Sequence, residues 1–252
     1  MAIRTEVLAV SVPGLRVLRC WVDEPYAAVK ETYTIARVEA GRSEWASGGT
    51  VWRGGPGFLQ IKQPGDVHRD LSRDGPITMQ LVSLAPHAVE RAIGKIRVPP
   101  QLAPGDARGA AFQRLHDAVC AGADRLSLEV ALAEAISALA AIDHGRGEHT
   151  RPVRRAIELL LAQLTQPVTL DELAAHAGLD KFRLCRAFRA QVGMPPYAYL
   201  THLRIMRAKQ LLAAGVKPSE IAPQIGLYDQ SQLNRHFRRI VGTTPGQYAR
   251  RT

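Results

Sequence analysis

The stretch Ile221-Ala-Pro-Gln-Ile-Gly-Leu-Tyr-Asp-Gln-Ser-Gln-Leu-Asn-Arg-His-Phe-Arg-Arg-Ile-Val-Gly-Thr-Thr-Pro-Gly-Gln-Tyr248 decides the reading of this chain. A short apolar segment breaks at Gly226. It resumes as an amphipathic run that stops at Gly242, ahead of Thr244-Pro245. In that run Leu233, Phe237 and Val241 stand four apart and share one helical face, leaving Gln230, Ser231, Asn234, Arg235 and Arg238 on the other. The pattern occurs twice. Ala174, Gly178 and Leu179 recur 48 positions later as Ala222, Gly226 and Leu227. After a one-residue insertion, Leu184, Arg186, Phe188, Arg189, Val192, Gly193, Pro196 and Tyr199 recur 49 positions later as Leu233, Arg235, Phe237, Arg238, Val241, Gly242, Pro245 and Tyr248. Each unit is a short helix, a glycine turn and a second helix, which is the helix-turn-helix arrangement.

The outward residues carry the chemistry. In the first unit Leu184, Phe188 and Val192 face inward, so Lys181, Phe182, Arg183, Cys185, Arg186 and Arg189 are left outside. Arginine bonds guanine O6 and N7 with two hydrogens, and glutamine or asparagine does the same on adenine. Apolar side chains such as Phe182 and Cys185 suit a thymine methyl. One outward arginine is usually only solvated; matching positions in two repeats make that bland reading the weaker one. The helix expected between the units, Tyr197–Ala214, has 18 residues, which at about 1.5 Å each spans roughly 27 Å. Recognition helices at its two ends suit two adjacent major grooves of double-stranded DNA, about one turn apart.

Charge points the same way. Residues 1–150 balance at zero, whereas residues 151–252 hold the entire net charge of +10. Lysine and arginine displace counterions condensed on phosphate, so a polyanion is the natural partner of that half. No run is apolar for the length a membrane span requires. Charges at Arg4, Glu6, Arg16 and Arg19 interrupt any secretory leader in the first thirty residues. Three scattered cysteines, Cys20, Cys120 and Cys185, form neither a disulfide framework nor a metal cluster. The expectation is a cytoplasmic protein without membrane contact, cofactor, metal or catalytic residues.

At 252 residues two domains are expected. Short runs at Val7–Val12, Leu15–Val22, Tyr33–Val38, Phe58–Ile61 and Ile77–Leu84, bounded by glycine and proline turns, predict strands up to about Lys95. Two helices are expected at Ala107–Ala121 and Ser127–Ile142, then a polar linker. The fold class is thus α+β with two domains: an N-terminal β-barrel with trailing helices over 1–142, a linker over 143–151, and an all-α domain over 152–252. Helices are predicted there at Pro152–Leu164, Leu170–Ala177, Lys181–Val192, Tyr197–Ala214, Ser219–Ile225 and Asp229–Val241.

The set Ile221-Ala222, Gly226-Leu227, Asp229-Gln230-Ser231, Leu233, Arg235, Phe237, Gly242, Thr244-Pro245 and Tyr248 resembles the AraC/XylS signature. Leu173-Ala174, Gly178 and Leu184 to Gly193 resemble its first unit. The resemblance implies a transcription regulator whose base-reading positions are Phe182, Cys185 and Arg186 in one unit and Gln230, Ser231, Asn234 and Arg235 in the other. It departs at Pro223, expected to kink or shorten its helix, and at Cys185, where a small filler is the favoured reading. Gly57-Phe-Leu-Gln-Ile-Lys-Gln-Pro64-Gly65-Asp66-Val67-His68 is similar to the cupin-like effector domains of that family. Without a His-x-His pair, His68 reads as a wall or core residue rather than a metal ligand. Tyr33, Trp45, Trp52 and His68 are candidate effector-lining residues, although core packing explains them equally well. The alanine-rich helix faces with Val130, Leu132, Ile136 and Leu139 suit either packing on the barrel or pairing across a two-fold axis; the resemblance favours a homodimer and implies contact with the transcription machinery. Two other readings stay open: a cupin metalloenzyme fused to a DNA-binding module, and a regulator that needs no ligand.

Overall fold

A computed structural model describes residues 3–143 and 149–250. The chain forms two compact units, Met1–Gly147 and Glu148–Thr252. Most of the linker expected over 143–151 lies outside the described residues; the first helix of the second unit starts at Arg151.

The first unit is an eight-stranded antiparallel sheet with three helices. The strands are β1 (Ile3–Leu8), β2 (Leu15–Val22), β3 (Ala27–Val29), β4 (Tyr33–Ser47), β5 (Thr50–Gly54), β6 (Leu59–Lys62), β7 (Val67–Leu84) and β8 (Gln101–Leu102). Their order is β1-β2-β7-β4-β6-β8, with β3 added to β7 and β5 to β4. The two long strands pair from Tyr33 opposite Leu84 to Ala46 opposite Arg69, with three register shifts, and act as the spine. The helices are α1 (Pro86–Ile93), α2 (Ala110–Cys120) and α3 (Arg125–Ala141).

Alternation sorts the sheet into two faces. Leu15, Val17, Tyr33, Ile35, Leu59, Ile61, Val82 and Leu84 pack with Phe112, Leu115 and Leu139 of the helices. Cys20, Val22, Ala36, Val38, Ile77 and Met79 form a second apolar group, with Tyr26 and Phe58 against it. In β4 the pairing advances two residues, Val38 to Ala40, while its partner advances one, Met79 to Thr78. This bulge inverts the parity of everything after it. Trp45 is therefore buried on the same face as Val38 although their numbers differ in parity, and Tyr33 is on the opposite one.

Three expectations need correction. The strand reading up to Lys95 overruns α1: Pro86 sits in its first turn, a position proline favours, and Val89 is buried. The strand expected over Val7–Val12 is β1, which ends at Leu8. Strands β4 and β7 run far beyond the apolar runs at Tyr33–Val38 and Ile77–Leu84, because their added halves alternate with charged residues.

The second unit is helical: α4 (Arg151–Ala162), α5 (Leu170–Ala177), α6 (Lys181–Val192), α7 (Pro196–Ala213), α8 (Pro218–Gln224), α9 (Gln230–Val241) and α10 (Pro245–Ala249). Local chemistry fixes the ends. Thr169 and Glu172 form a capping box on α5, as Thr244 and Gln247 do on α10. Asp180 and Asp229 cap α6 and α9, which satisfies amide donors that a helix start leaves free. Gly193 and Gly242 close the same two helices at positive φ.

Two buried histidines contribute to the acid response of the first unit. His116 is fully buried, with Nδ1 2.7 Å from the Gln80 Oε1. Burial, then the Arg37 charge, lowers its pKa to about 3. Burial and the Lys62 charge hold His68 well below the ordinary histidine range despite its bond to Asp70. The unfolded chain binds protons below about pH 6.5 that the folded one refuses, so stability is full above that pH and is lost as pH falls. Each histidine should remove about 1.4 kcal/mol per pH unit below that point. Urea midpoints at pH 7.5 and 5.0 check this; His116→Gln should flatten the dependence, and equal wild-type midpoints would contradict it.

Candidate nucleic-acid interface

Both repeats are built alike. Leu179 N donates to Ala174 O at 3.0 Å, and Leu227 N donates to Ala222 O at 2.9 Å, so the two turns close on the same bond. Phe188 meets Tyr199 edge-on with centroids 5.7 Å apart and planes at 70°; Phe237 meets Tyr248 at 5.5 Å and 70°. Pro223 stands one residue before the end of α8. That helix is one residue shorter than α5, and its turn is unaffected.

On α6 the side chains of Leu184, Phe188 and Val192 are buried, while Lys181, Phe182, Arg183, Arg186 and Arg189 are exposed. Phe182 is 74% exposed, an unusual placement for a phenylalanine unless something covers it. Lys181 reaches Asp171 at 3.3 Å and Arg183 reaches Asp180 at 3.4 Å. Both pairs are open to water and contribute little to stability, so either cation is free to exchange its partner for phosphate. Cys185 is half-buried and lines an apolar recess of about 190 Å³ with Leu160, Leu173, Pro195 and Leu200. It is thus turned toward its own unit more than its neighbours on α6 are. On α9 Gln230, Ser231, Asn234, Arg235 and Arg238 are exposed, as is Arg239. The first five share a concave surface of about 820 Å³ with Arg239, Thr244 and Pro218.

One exposed residue escapes the repeat logic. Tyr228 is the insertion that changes the repeat offset from 48 to 49, and it is 94% exposed at the start of α9. The offset change was the signal that could have singled it out.

Arg204, in the middle of α7, holds the unit together. Its side chain is almost wholly buried, with Nε donating to Leu164 O at 2.8 Å and Nη2 to Gln166 O at 2.9 Å. The same loop presses on Gly226, where an added Cβ would lie 2.5 Å from Thr165 O and the backbone is at φ +73°. The spacer helix, the loop before the first unit and the turn of the second unit therefore meet at one guanidinium.

The four residues expected to line an effector site divide. His68 and Trp45 stack, with centroids 5.9 Å apart, and Tyr26 lies 5.3 Å from the same imidazole. His68 Nε2 lies 2.9 Å from Asp70 Oδ1. Trp52 is half-buried opposite Trp45 in the β4–β5 pairing, its indole nitrogen donating to Ser47 O at 3.4 Å. Tyr33 is not with them; it belongs to the helix-facing core for the parity reason given above. Missed by sequence reasoning were Tyr26, Lys30, Lys62, Asp70 and Arg73, which surround His68. Among the described residues no three histidine, cysteine or acidic side chains converge as a metal site, and no helix is long and apolar enough to cross a membrane.

A sheet domain with an enclosed polar interior, joined to paired helix-turn-helix units, defines a ligand-binding DNA regulator. The chain belongs to the AraC family: residues 25–180 match the AraC-like ligand binding domain, and residues 173–251 match a helix-turn-helix domain. It is similar to the uncharacterized HTH-type transcriptional regulator YbfI of Bacillus subtilis, 29% identical over 217 residues, covering 80% of this chain and 78% of YbfI. The transcriptional activator AarP of Providencia stuartii is 34% identical over 86 residues, 34% of this chain and 64% of AarP. Among solved structures, ToxT of Vibrio cholerae has the same fold, with a TM-score of 0.53 at 12% identity, covering 94% of this chain and 97% of ToxT.

The Arg204 clamp yields a measurable expectation. Arg204→Met leaves two buried carbonyls without donors and should cost about 2–4 kcal/mol in urea denaturation. A loss below about 0.5 kcal/mol, the scale of an ordinary surface change, would show that the clamp does not hold the unit together.

Proposed function

We propose that this regulator reads a two-part DNA site through the exposed faces of α6 and α9, and that a small molecule inside the sheet domain controls its occupancy. The observation carrying the first part is the equivalence of Arg186 and Arg235, exposed at matching positions of two repeated motifs within the half of the chain that holds all the net positive charge. Phe182, Lys181 and Arg183 on α6, and Gln230, Ser231, Asn234 and Arg238 on α9, complete the reading faces. Cys185 supports packing rather than base contact. Tyr228 joins the second face, its ring positioned for sugar or phosphate contact beside the start of α9.

The effector part rests on the interior of the first unit. An enclosed group of aromatic and charged side chains around His68 and Trp45 is what a small ligand needs for orientation. The ligand acts by binding one arrangement of the protein better than another, since equal affinity for both would shift nothing. The protein works as a cytoplasmic homodimer that contacts the transcription machinery and performs no catalytic step. Leu126 and Val130, 70% and 51% exposed on α3, supply the apolar patch for the dimer, flanked by Ala118 and Ala131.

Selection of bound sequences from a random DNA pool tests the first part. A motif with halves about one helical turn apart is expected, and salt-sensitive binding without sequence preference would withdraw the reader roles. In the same assay Arg235→Ala should relax preference at one base pair, costing about 1–3 kcal/mol there; an equal loss on all sequences would make Arg235 a phosphate contact. For the dimer, the double change Leu126→Glu and Val130→Glu should give monomers by sedimentation with unchanged circular dichroism. Retained dimers would place the interface elsewhere.

A further inference from the structure

The inward face of the sheet carries charges that neither the fold nor DNA reading explains. Lys62 on β6 is 4% exposed, and its Nζ makes no hydrogen bond. Its neighbour Lys30, between β3 and β4, donates to the Tyr26 hydroxyl at 3.1 Å and lies 4.7 Å from the centre of that ring. The Tyr26 phenol is close enough to favour the Lys62 ammonium without completing a bond to it. The nearby carboxylate is already engaged: Asp70 accepts from Tyr26 N at 3.2 Å, lies 2.9 Å from His68 Nε2, and pairs with Arg73. His68, held neutral at ordinary pH, supplies no charge of its own.

Strand alternation explains how a lysine came to sit there. Leu59 and Ile61 face the helices, so Gln60 and Lys62 turn to the other side, where both are buried and Gln60 Oε1 also lacks a partner. An ammonium withdrawn from water without an acceptor is among the most costly groups a protein encloses, and a leucine or methionine at the same position would pack there without that penalty. A recess of about 470 Å³ is lined by Phe58 and Arg73, with Arg42, Arg53, Ser43, Ser72, Glu44 and Asp74 around it. Phe58 packs on the same apolar group as Tyr26, and the Arg73 guanidinium lies 6.0 Å from the Tyr26 ring. Arg73, which also pairs with Asp70, is the side chain that links this recess to the group around Lys62.

We propose that the effector is a small organic carboxylate, its oxygens accepting from Lys62 Nζ, with Lys30 and Tyr26 as further donors and its body extending along Phe58. This rests on the effector reading above and names the class of molecule. A carboxylate is planar, carries one negative charge and only accepts hydrogen bonds, which matches two ammonium groups flanking one phenol. A sugar or an amide offers oxygen without the charge. Burial lowers both lysines, Lys30 to about 8, and a bound carboxylate reverses the direction of that shift.

The test is thermal unfolding of the full chain at constant ionic strength. The probes are linear carboxylates from acetate to palmitate, benzoate, the matching primary amides, and inorganic phosphate. At least one carboxylate should raise Tm by about 5 °C at a concentration of roughly 100 times its Kd, while its amide and phosphate do not. Lys62→Met should unfold at the same or a higher temperature without ligand and lose the response. Lys62→Gln gives the same readout if the methionine variant does not fold, and Glu129→Gln on the exposed face of α3 should respond as wild type. A silent carboxylate series, an equal response to amides, a response to phosphate alone, or a fully responsive Lys62 variant would each overturn the proposal. If an amide or phosphate instead changed both Tm and DNA occupancy, the effector reading would survive while the carboxylate assignment fell.

Discussion

The DNA-binding unit depends on the two hydrogen bonds that Arg204 sends to the carbonyls of Leu164 and Gln166. Two helix-turn-helix motifs read successive grooves only if the distance and angle between their second helices are held to a fraction of a turn. A spacer helix sets the distance, but a helix alone is free to roll between its neighbours. The guanidinium removes that freedom. It fixes the loop that precedes the first motif while standing over Gly226, the turn of the second, where even a methyl group would collide with Thr165 O. A planar, permanently charged fork suits this task, since it presents two N–H donors at a fixed spacing to two carbonyls.

The first unit follows a different economy. Its helix-facing side is an apolar core that encloses the His116–Gln80 pair, and its other side mixes apolar residues with buried lysine, histidine, aspartate and glutamine. Interiors of this kind are less stable than fully apolar ones of the same volume. The bulge after Val38 brings Trp45 over His68 and so builds half of that chamber. Without the extra residue, Trp45 would point away from the imidazole, and the second half of β4 would present Glu44 to the interior.

Legibility in the sequence was uneven for physical reasons. The bounds of α5 and α6 follow from it directly, because Thr169, Asp180, Gly178 and Gly193 are local start and stop signals that tertiary context does not override. The exposed faces of α6 and α9 follow from a period of 3.6 residues repeated in two motifs. The five-residue α10 and the eight-residue α1 are too short to show a period, though Thr244-Pro245 and Pro86 mark their starts. In the sheet the failures concern parity. Tyr33 and Trp45 are both odd-numbered residues of one strand, and nothing local announces the bulge that puts them on opposite faces. Lys62 was missed for a related reason: a charged residue alternating with Leu59 and Ile61 reads as the solvent side of a half-buried strand, whereas both faces of β6 are covered.

The two halves of the chain thus meet charge in opposite ways, and the contrast bears on regulation. Lys181 and Arg183 on α6 stand in water, where each is weakly held and free to exchange its partner for a phosphate. Lys62 stands out of water, where an anion of matching shape gains far more than it would at the surface, because the same low polarity that penalises the lone ammonium strengthens the pair. A regulator needs that difference. The DNA surface has to tolerate many transient partners, whereas a signal has to alter an equilibrium through differential contact with one arrangement of the protein. On the carboxylate proposal, the buried Lys62 ammonium would supply such a contact: an arrangement that encloses it would gain more from an arriving anion than one that exposes it, so pairing would shift the conformation as well as give affinity.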